Sequence, residues 1–256
     1  MRIVISDLDG TLLDHDSYSF AEAAPALARL KALGVPVVVC TSKTAAEAAE
    51  WRRQMELGAP YVVENGGAAV IPAGQLGAAD GEALVLGTQY ERLVEALRAA
   101  AAESGCCVEG FADWTAEEVA RECSMGLERA VLAKQRRYDE PFVVKTPERE
   151  EALIEAIHAK GLRTTRGGRF VHILGANDKA TAVRLLLERY RAMYGVVRSV
   201  GLGDGLNDAE FLRVVDDAVL IRSPRLAGLQ AAVPAGRATE LPGPAGWNQA
   251  ILERFP

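Results

Sequence analysis

Three short clusters in the 256-residue chain combine residue types suited to acid–base, nucleophilic or metal chemistry: Asp7-Leu8-Asp9-Gly10-Thr11, Thr41-Ser42-Lys43 and Gly203-Asp204-Gly205-Leu206-Asn207-Asp208. Each follows a short apolar run that reads as a buried strand. In an open parallel sheet the strand carboxyl ends share one crevice, so clusters distant in sequence are expected to meet there. Asp7, Asp9, Asp204 and Asp208 gathered in one crevice would repel one another, and the simplest remedy is a hard divalent cation plus a lysine. Lys179, ahead of the third cluster, is the candidate lysine. Taken singly, each aspartate can instead cap a helix or shape a turn. Three such clusters in order, with a lysine before the last, favour a shared site.

The elements that must position these residues follow a βαβα rhythm. Arg2 to Ser6 reads as a strand, Ala21 to Leu33 as a helix that Gly34 ends, and Val35 to Cys40 as a second strand. Thr41-Ser42 reads as the entry to a helix reaching about Leu57, and Tyr61 to Val63 as a third strand that Asn65-Gly66-Gly67 turns back through Ala68 to Ile71. Periodicity fades in the Gly/Ala-rich stretch from Pro72 to Asp80. Mixed helices and strands between Gln89 and Leu174 then suggest an α+β insert with an antiparallel sheet, after which a helix from Asp178 to Met193 and a strand from Val196 to Gly201 resume the first pattern. The expected fold class is α/β, a Rossmann-like parallel-sheet core (residues 1–86 and 176–256) interrupted by an α+β cap (residues 87–175).

A chain with 49% hydrophobic and 25% charged residues has the balance of a globular protein, which excludes disordered, collagenous and coiled-coil classes. Its net charge of -6 argues against a nucleic-acid or anionic-membrane surface. The charge is unevenly spread, because Arg129 to Arg169 holds ten Lys/Arg against six Asp/Glu, as would suit a lid over a polyanionic small molecule. Four cysteines without CxxC spacing indicate neither a zinc site nor a disulfide scaffold. With no signal-like or membrane-spanning segment, the expected location is the cytoplasm.

The segment from Asp7 to Asp14, the strand-end Thr41, Lys179 and Gly203 to Asp208 resemble, in order and spacing, the four motifs of the haloacid dehalogenase superfamily of phosphotransferases. The resemblance implies Mg²⁺ held by the Asp7 carboxylate, the Asp9 backbone carbonyl and Asp204. It implies that Asp7 attacks phosphorus to form an aspartyl-phosphate, and that Asp9 protonates the leaving alkoxide and then deprotonates water. Thr41 would hydrogen-bond a phosphoryl oxygen, Lys179 would offset charge, and Asp208 would orient Lys179 or a metal-bound water. An acid at the Asp9 position separates phosphatases from dehalogenases in this superfamily.

Within the superfamily the chain is most similar to the mannosyl-3-phosphoglycerate phosphatase family, through Asp14 to Ser19, Cys40 to Thr44, Val63 to Gly67, Arg136 to Phe142 and Gly167 to His172. It departs from that family in carrying Asp139 and Gly205 where Ser is common. The implied reaction is hydrolysis of mannosyl-3-phosphoglycerate to mannosylglycerate, a compatible solute, and phosphate. A phosphorylated sugar acid needs cations for its acidic groups and amides for its hydroxyls. The candidates are Ser42, Lys43, Asn65, Arg136, Tyr138, Glu140, Arg166, Arg169, His172 and Asn207, with Gly66 and Gly67 allowing close backbone approach. Tyr138 and Glu140 are equally consistent with setting a turn before Pro141. Two alternatives stay open: a phosphatase for another sugar phosphate, of the sucrose- or trehalose-6-phosphate type, and a phosphosugar-binding regulator on a retired core.

Overall fold

The computed structural model describes residues 1–256, whose strands are divided between two sheets. The chain begins with β1 (Arg2–Ser6), α1 (Ala24–Ala32), β2 (Val37–Cys40), α2 (Ala45–Gln54), β3 (Tyr61–Val63), β4 (Ala68–Ile71) and β5 (Glu82–Val85). The middle holds α3 (Tyr90–Ser104), β6 (Val108–Gly110), α4 (Ala116–Glu122), α5 (Leu127–Ala133), β7 (Asp139–Val144), α6 (Glu150–Ala159), β8 (Arg163–Gly167) and β9 (Phe170–Leu174). The chain ends with α7 (Lys179–Tyr194), β10 (Arg198–Gly203), α8 (Ala209–Leu212), β11 (Asp217–Arg222), α9 (Leu226–Ala232), β12 (Arg237–Pro242) and α10 (Gly243–Arg254).

The larger sheet has the order β12-β11-β10-β1-β2-β3-β4-β5, parallel as far as β3 and antiparallel beyond it. Its central strands β10, β1 and β2 are mostly apolar, and buried except at the first residue of β1 and β10, because helices cover both faces. Leu30, Trp51 and Trp247 fill one side, beneath α1, α2 and α10. Leu186, Phe211 and Leu229 fill the other, beneath α7, α8 and α9. The carboxyl ends of β1, β2, β10 and β11 therefore open along a single edge, which the cap covers.

Three elements differ from the sequence reading. Helix α2 starts at Thr44 rather than Thr41-Ser42, because the Thr44 hydroxyl accepts from Glu47 N at 3.2 Å while the Glu47 carboxylate accepts from Thr44 N at 3.0 Å. This reciprocal cap leaves Thr41, Ser42 and Lys43 as a loop at the sheet edge. The core also gains β5, a four-residue antiparallel strand too short to register as a periodic run. No turn precedes Pro141: β7 begins at Asp139 and runs through the proline, which stands opposite His172.

The cap is α+β, with an antiparallel sheet in the order β6-β7-β9-β8. Helices α3 and α6 bury Leu93, Leu97, Leu153 and Ile157 against Phe142, Val171 and Ile173. Helices α4 and α5 form a second cluster with Phe111 and Trp114, and Phe170 packs against it. All four cysteines are free, and no helix is long and apolar enough to cross a membrane.

Candidate active site

At the sheet edge the three clusters meet. Asp7 follows β1 directly, and its backbone N–H donates to Leu202 O on β10 at 3.0 Å, which fixes it beside the third cluster. Lys179 begins α7, whose N-cap Asp178 accepts from Thr181 N at 2.6 Å. The Lys179 ammonium is almost wholly buried and donates to Asp7 Oδ1 at 2.8 Å and to Asp208 Oδ1 at 2.6 Å. Burial alone would lower the lysine pKa, but Asp208 and Asp7 outweigh it and raise it. The second Asp208 oxygen accepts from Asp204 N at 3.1 Å and Gly205 N at 3.0 Å, so this carboxylate holds both the lysine and the loop carrying Asp204. Thr41 is fully buried at the end of β2, and its hydroxyl oxygen accepts from Lys43 N at 3.2 Å, leaving its own proton to donate.

Charge at this floor is out of balance. Asp7, Asp204 and Asp208 are buried and bring one oxygen each within 4.8 Å of the others. Asp7 is raised well above the ordinary carboxylate range by burial and then by repulsion from Asp208, with Asp204 and Asp9 adding to it. Burial and Asp208 push Asp204 up to about 7. A cation among hard oxygen donors would reverse both shifts, so the donor set fits Mg²⁺. Both Asp208 oxygens are engaged, so Asp7 and Asp204 are the side chains available as ligands, with the Asp9 carbonyl as the third donor the motif suggests. Gly10, at φ +75°, belongs to the same cradle, because a Cβ there would come within 2.8 Å of Asp204 Oδ2.

Above the floor lies a cavity of about 660 Å³, the scale of a small-molecule site. Asp7, Asp9, Ser42, Lys43, Asp204 and Asn207 reach it from the core, and Arg136, Arg169 and His172 from the cap. Lys43 stands 3.0 Å from Asp9 and 3.7 Å from Glu47. On the cap side, Asp139 is fully buried and lies 2.7 Å from His172 Nδ1 and 3.3 Å from Arg136. Burial would raise the pKa of Asp139, yet His172, Arg136 and the Asn65 amide, which donates to it at 2.6 Å, hold it below the usual value. Being ionised, Asp139 can only accept, so His172 has a proton on Nδ1.

Several sequence candidates stand elsewhere. Gly66 and Gly67 make close approaches, but to the chain itself: a Cβ on Gly66 would meet Asp178 O at 2.0 Å, and one on Gly67 would meet Tyr138 Cβ at 2.4 Å. Asn65 spends its amide on Asp139, and Tyr138 packs over Gly67 and Gly87. Glu140 accepts from Tyr90 Oη at 2.6 Å and Ala112 N at 2.9 Å inside the cap, and burial pushes it up to about 7. Arg166 pairs with Glu150 outside the cavity.

The basic segment of the cap is correspondingly less basic toward the cavity than its composition suggests. Lys145 pairs with Glu109, Lys160 with Glu103, and Arg163 with Asp178 and Glu210. Of that segment's ten cations, Arg136 and Arg169 line the cavity. Sequence reasoning missed His15, Asp16, Tyr18, Glu47, Met125 and Arg225, which also line it. Arg225 had a signal, because it follows the carboxyl end of β11, where the rule that located the other clusters applies equally.

Fold and site together define a capped α/β hydrolase of the phosphotransfer type. The description "haloacid dehalogenase-like hydrolase" fits residues 4–81. The chain is 39% identical to the glucosyl-3-phosphoglycerate/mannosyl-3-phosphoglycerate phosphatase of Methanococcoides burtonii, over 98% of this chain and 96% of that one. It is 36% identical to the protein of the same name from Persephonella marina (97% and 95% covered) and 35% identical to the mannosyl-3-phosphoglycerate phosphatase of Pyrococcus furiosus (86% and 91%). A solved subclass IIB sugar phosphatase of the superfamily shares the fold, with a TM-score of 0.70, 16% identity and 99% of each chain covered. The chain belongs to the haloacid dehalogenase-like hydrolases, in the family of the glucosyl-3-phosphoglycerate/mannosyl-3-phosphoglycerate phosphatases.

Proposed function

We propose that this protein is a Mg²⁺-dependent phosphatase that hydrolyses a hexosyl-3-phosphoglycerate, mannosyl or glucosyl, to the hexosylglycerate and phosphate. The observation that carries the reading is the buried Asp7–Lys179–Asp208 chain beneath a cavity whose far wall is cationic. The activity named for relatives that match along nearly the whole chain supports the substrate class.

Asp7 lines the cavity with one oxygen tied to Lys179, so it is aimed for in-line attack on phosphorus, and the lysine with a bound cation would together offset the burial and repulsion that raise its pKa. The Asp7 O–P bond forms as the ester O–P bond breaks, and Asp9 gives its proton to the departing alkoxide. Asp9 then takes a proton from water, whose oxygen attacks the aspartyl-phosphate, releasing phosphate and restoring Asp7. Thr41 donates its free proton to a phosphoryl oxygen, and Lys179 offsets the charge of Asp7 and phosphate. Mg²⁺ held by Asp7, Asp204 and the Asp9 carbonyl supplies the neutralisation that lets one anion attack another. The cap, taken as residues 87–175, excludes bulk water and confers specificity. Free thiols are consistent with the reducing cytoplasm expected for this protein.

The test is phosphate release from mannosyl- and glucosyl-3-phosphoglycerate, sucrose 6-phosphate, trehalose 6-phosphate and p-nitrophenyl phosphate, with and without Mg²⁺. Preference for the phosphoglycerate esters in the presence of Mg²⁺ is expected. Preference for a disaccharide 6-phosphate would replace the substrate assignment, and inactivity on every ester would replace the enzyme with a binding protein.

A further inference from the structure

The cations around the cavity fall into two groups. Lys179 is held by Asp7 and Asp208, Lys43 by Asp9 and Glu47, and Arg136 by Asp139. These three are neutralised from within the protein. Arg169 has no ion pair, and Arg225 has only a long contact to Asp204. The Arg169 guanidinium lies over the Phe170 ring, 5.4 Å from its centroid. The carboxylate nearest Arg225 is Asp204 at 3.9 Å, beyond hydrogen-bonding distance, and that carboxylate is a ligand candidate for the cation.

Arg225 is nonetheless placed. The Ser223 hydroxyl donates to Asp204 O at 3.0 Å and accepts from Arg225 N at 3.2 Å, so one side chain ties the loop after β11 to the loop carrying Asp204. From that anchor Arg225 reaches across the cleft. Its Nη2 would be 4.0 Å from a Cβ on Gly168, at the tip of the β8–β9 hairpin and adjacent to Arg169. A core arginine and a cap arginine thus line the same cavity, and neither has a carboxylate within hydrogen-bonding distance.

Two guanidinium groups brought together in a closing cleft repel unless an anion joins them. The phosphate of the proposed substrate belongs on the floor, at Asp7 and Lys179. A second anion remains: the glycerate carboxylate, whose carbon lies at most about 5 Å from phosphorus by covalent geometry. Arg225 is a neighbour of that floor: it lies 3.9 Å from Asp204, which brings an oxygen within 4.8 Å of one of Asp7. We infer that Arg225 and Arg169 form a clamp, one arm from each domain, for the carboxylate of the phosphoglyceryl group. Closure of the cap is then favoured by a substrate carrying both anions. The inference rests on the functional reading above and adds Arg225 and the identity of the group it binds.

The test compares kcat/KM on hexosyl-3-phosphoglycerate, on the hexosylglycerol 3-phosphate in which a hydroxymethyl group replaces the carboxylate, and on p-nitrophenyl phosphate, for wild type, R225Q, R169Q and the double variant. Removing a charge-assisted hydrogen bond should make each single variant's loss on the acid at least about 10-fold larger than its loss on the hydroxymethyl ester. The double variant should lose less than the product of the singles, because both arms hold one carboxylate. Calorimetric binding of hexosylglycerate against hexosylglycerol, which involves no turnover, should show the same preference in wild type and its loss in R225Q. Equal losses on both esters, or a wild type indifferent to the carboxylate, would overturn the clamp while leaving the phosphatase intact. A wild type that cleaves p-nitrophenyl phosphate but neither hexosyl ester would instead fail the functional reading, and the clamp with it.

Discussion

Asp7 on the core floor and Asp139 at the cap junction are both buried aspartates, yet their surroundings drive them in opposite directions. Around Asp7 stand three further aspartates and one lysine, and its pKa rises. Around Asp139 stand Arg136, His172 and the Asn65 amide, and its pKa falls. Desolvation is the largest influence on both, so burial does not decide the outcome; the partners do. The floor is a charge arrangement completed by something from solution. At the junction the Asp139 charge is met from within the protein, and because Asn65 belongs to the core while Asp139, Arg136 and His172 belong to the cap, the cluster also links one domain to the other. Glu140 is a third case. It is buried with a tyrosine hydroxyl and a backbone amide but no close cation, and it sits near pH 7.

The largest expected effect is at the floor. Asp7→Asn keeps the volume and removes the nucleophile, so steady-state phosphate release should drop by at least about 10⁴-fold while the circular dichroism spectrum is preserved. Turnover by a well-folded Asp7→Asn enzyme at even a few per cent of wild type would remove Asp7 from its role.

At the junction the effect should appear in stability. Asp139→Asn leaves the buried Arg136 without its carboxylate, and breaking one side of a buried pair costs about 3–5 kcal/mol. Because the folded-state pKa of Asp139 is depressed, its contribution is present above the unfolded value near 4 and is lost as pH falls through the folded one. The wild-type and Asp139→Asn urea midpoints should therefore be well separated at pH 7 and converge in acid. A difference under about 1 kcal/mol at pH 7 would mean that the junction is not the self-contained cluster described.

Glu140 reverses that sign. Its folded pKa is raised, so the folded protein holds the proton more tightly than the unfolded chain, and stability should fall as pH rises from the unfolded value near 4.5 to about 7. A shift of that size corresponds to a fall of about 3 kcal/mol over the interval. Glu140→Gln should flatten the slope when measured with saturating Mg²⁺, which takes the floor carboxylates out of the comparison. An unchanged slope would move the titration to another group.

The floor was legible in the sequence because its logic is topological: strands end, their polar ends share an edge, and Asp7, Thr41, Lys179, Asp204 and Asp208 lie at or beside those ends. The cap was legible as α+β but not as a binding wall. Which cap arginine faces the cavity depends on the pairing of β7, β8 and β9, and a shift of one residue along a strand moves a side chain to the other face. Arg166 and Arg169 are three residues apart and equally basic, yet one pairs with Glu150 on the surface and the other reaches the cavity across the hairpin tip. Helix α9, β12 and α10 are not legible in the sequence because their runs are short or weakly periodic, and the loop carrying Arg225 precedes α9 among them.

Arg166 therefore supplies the smallest expected effect and the sharpest contrast within the cap. Its ion pair with Glu150 is half open to solvent, and exposed pairs contribute about 0–1 kcal/mol. Arg166→Ala should shift the urea midpoint by no more than that and change kcat/KM on hexosyl-3-phosphoglycerate by less than about 2-fold, since less than about 0.4 kcal/mol of binding is at stake. Arg169→Ala, three residues away, should show the carboxylate-dependent loss of the clamp. If the two variants lose activity equally, the division of the cap's charges into outward pairs and inward arms is wrong, and long-range attraction by the whole basic segment explains the substrate preference. A salt titration separates these outcomes: a diffuse field is screened within about 10 Å at 0.1 M ionic strength, whereas a directly bonded guanidinium keeps most of its effect.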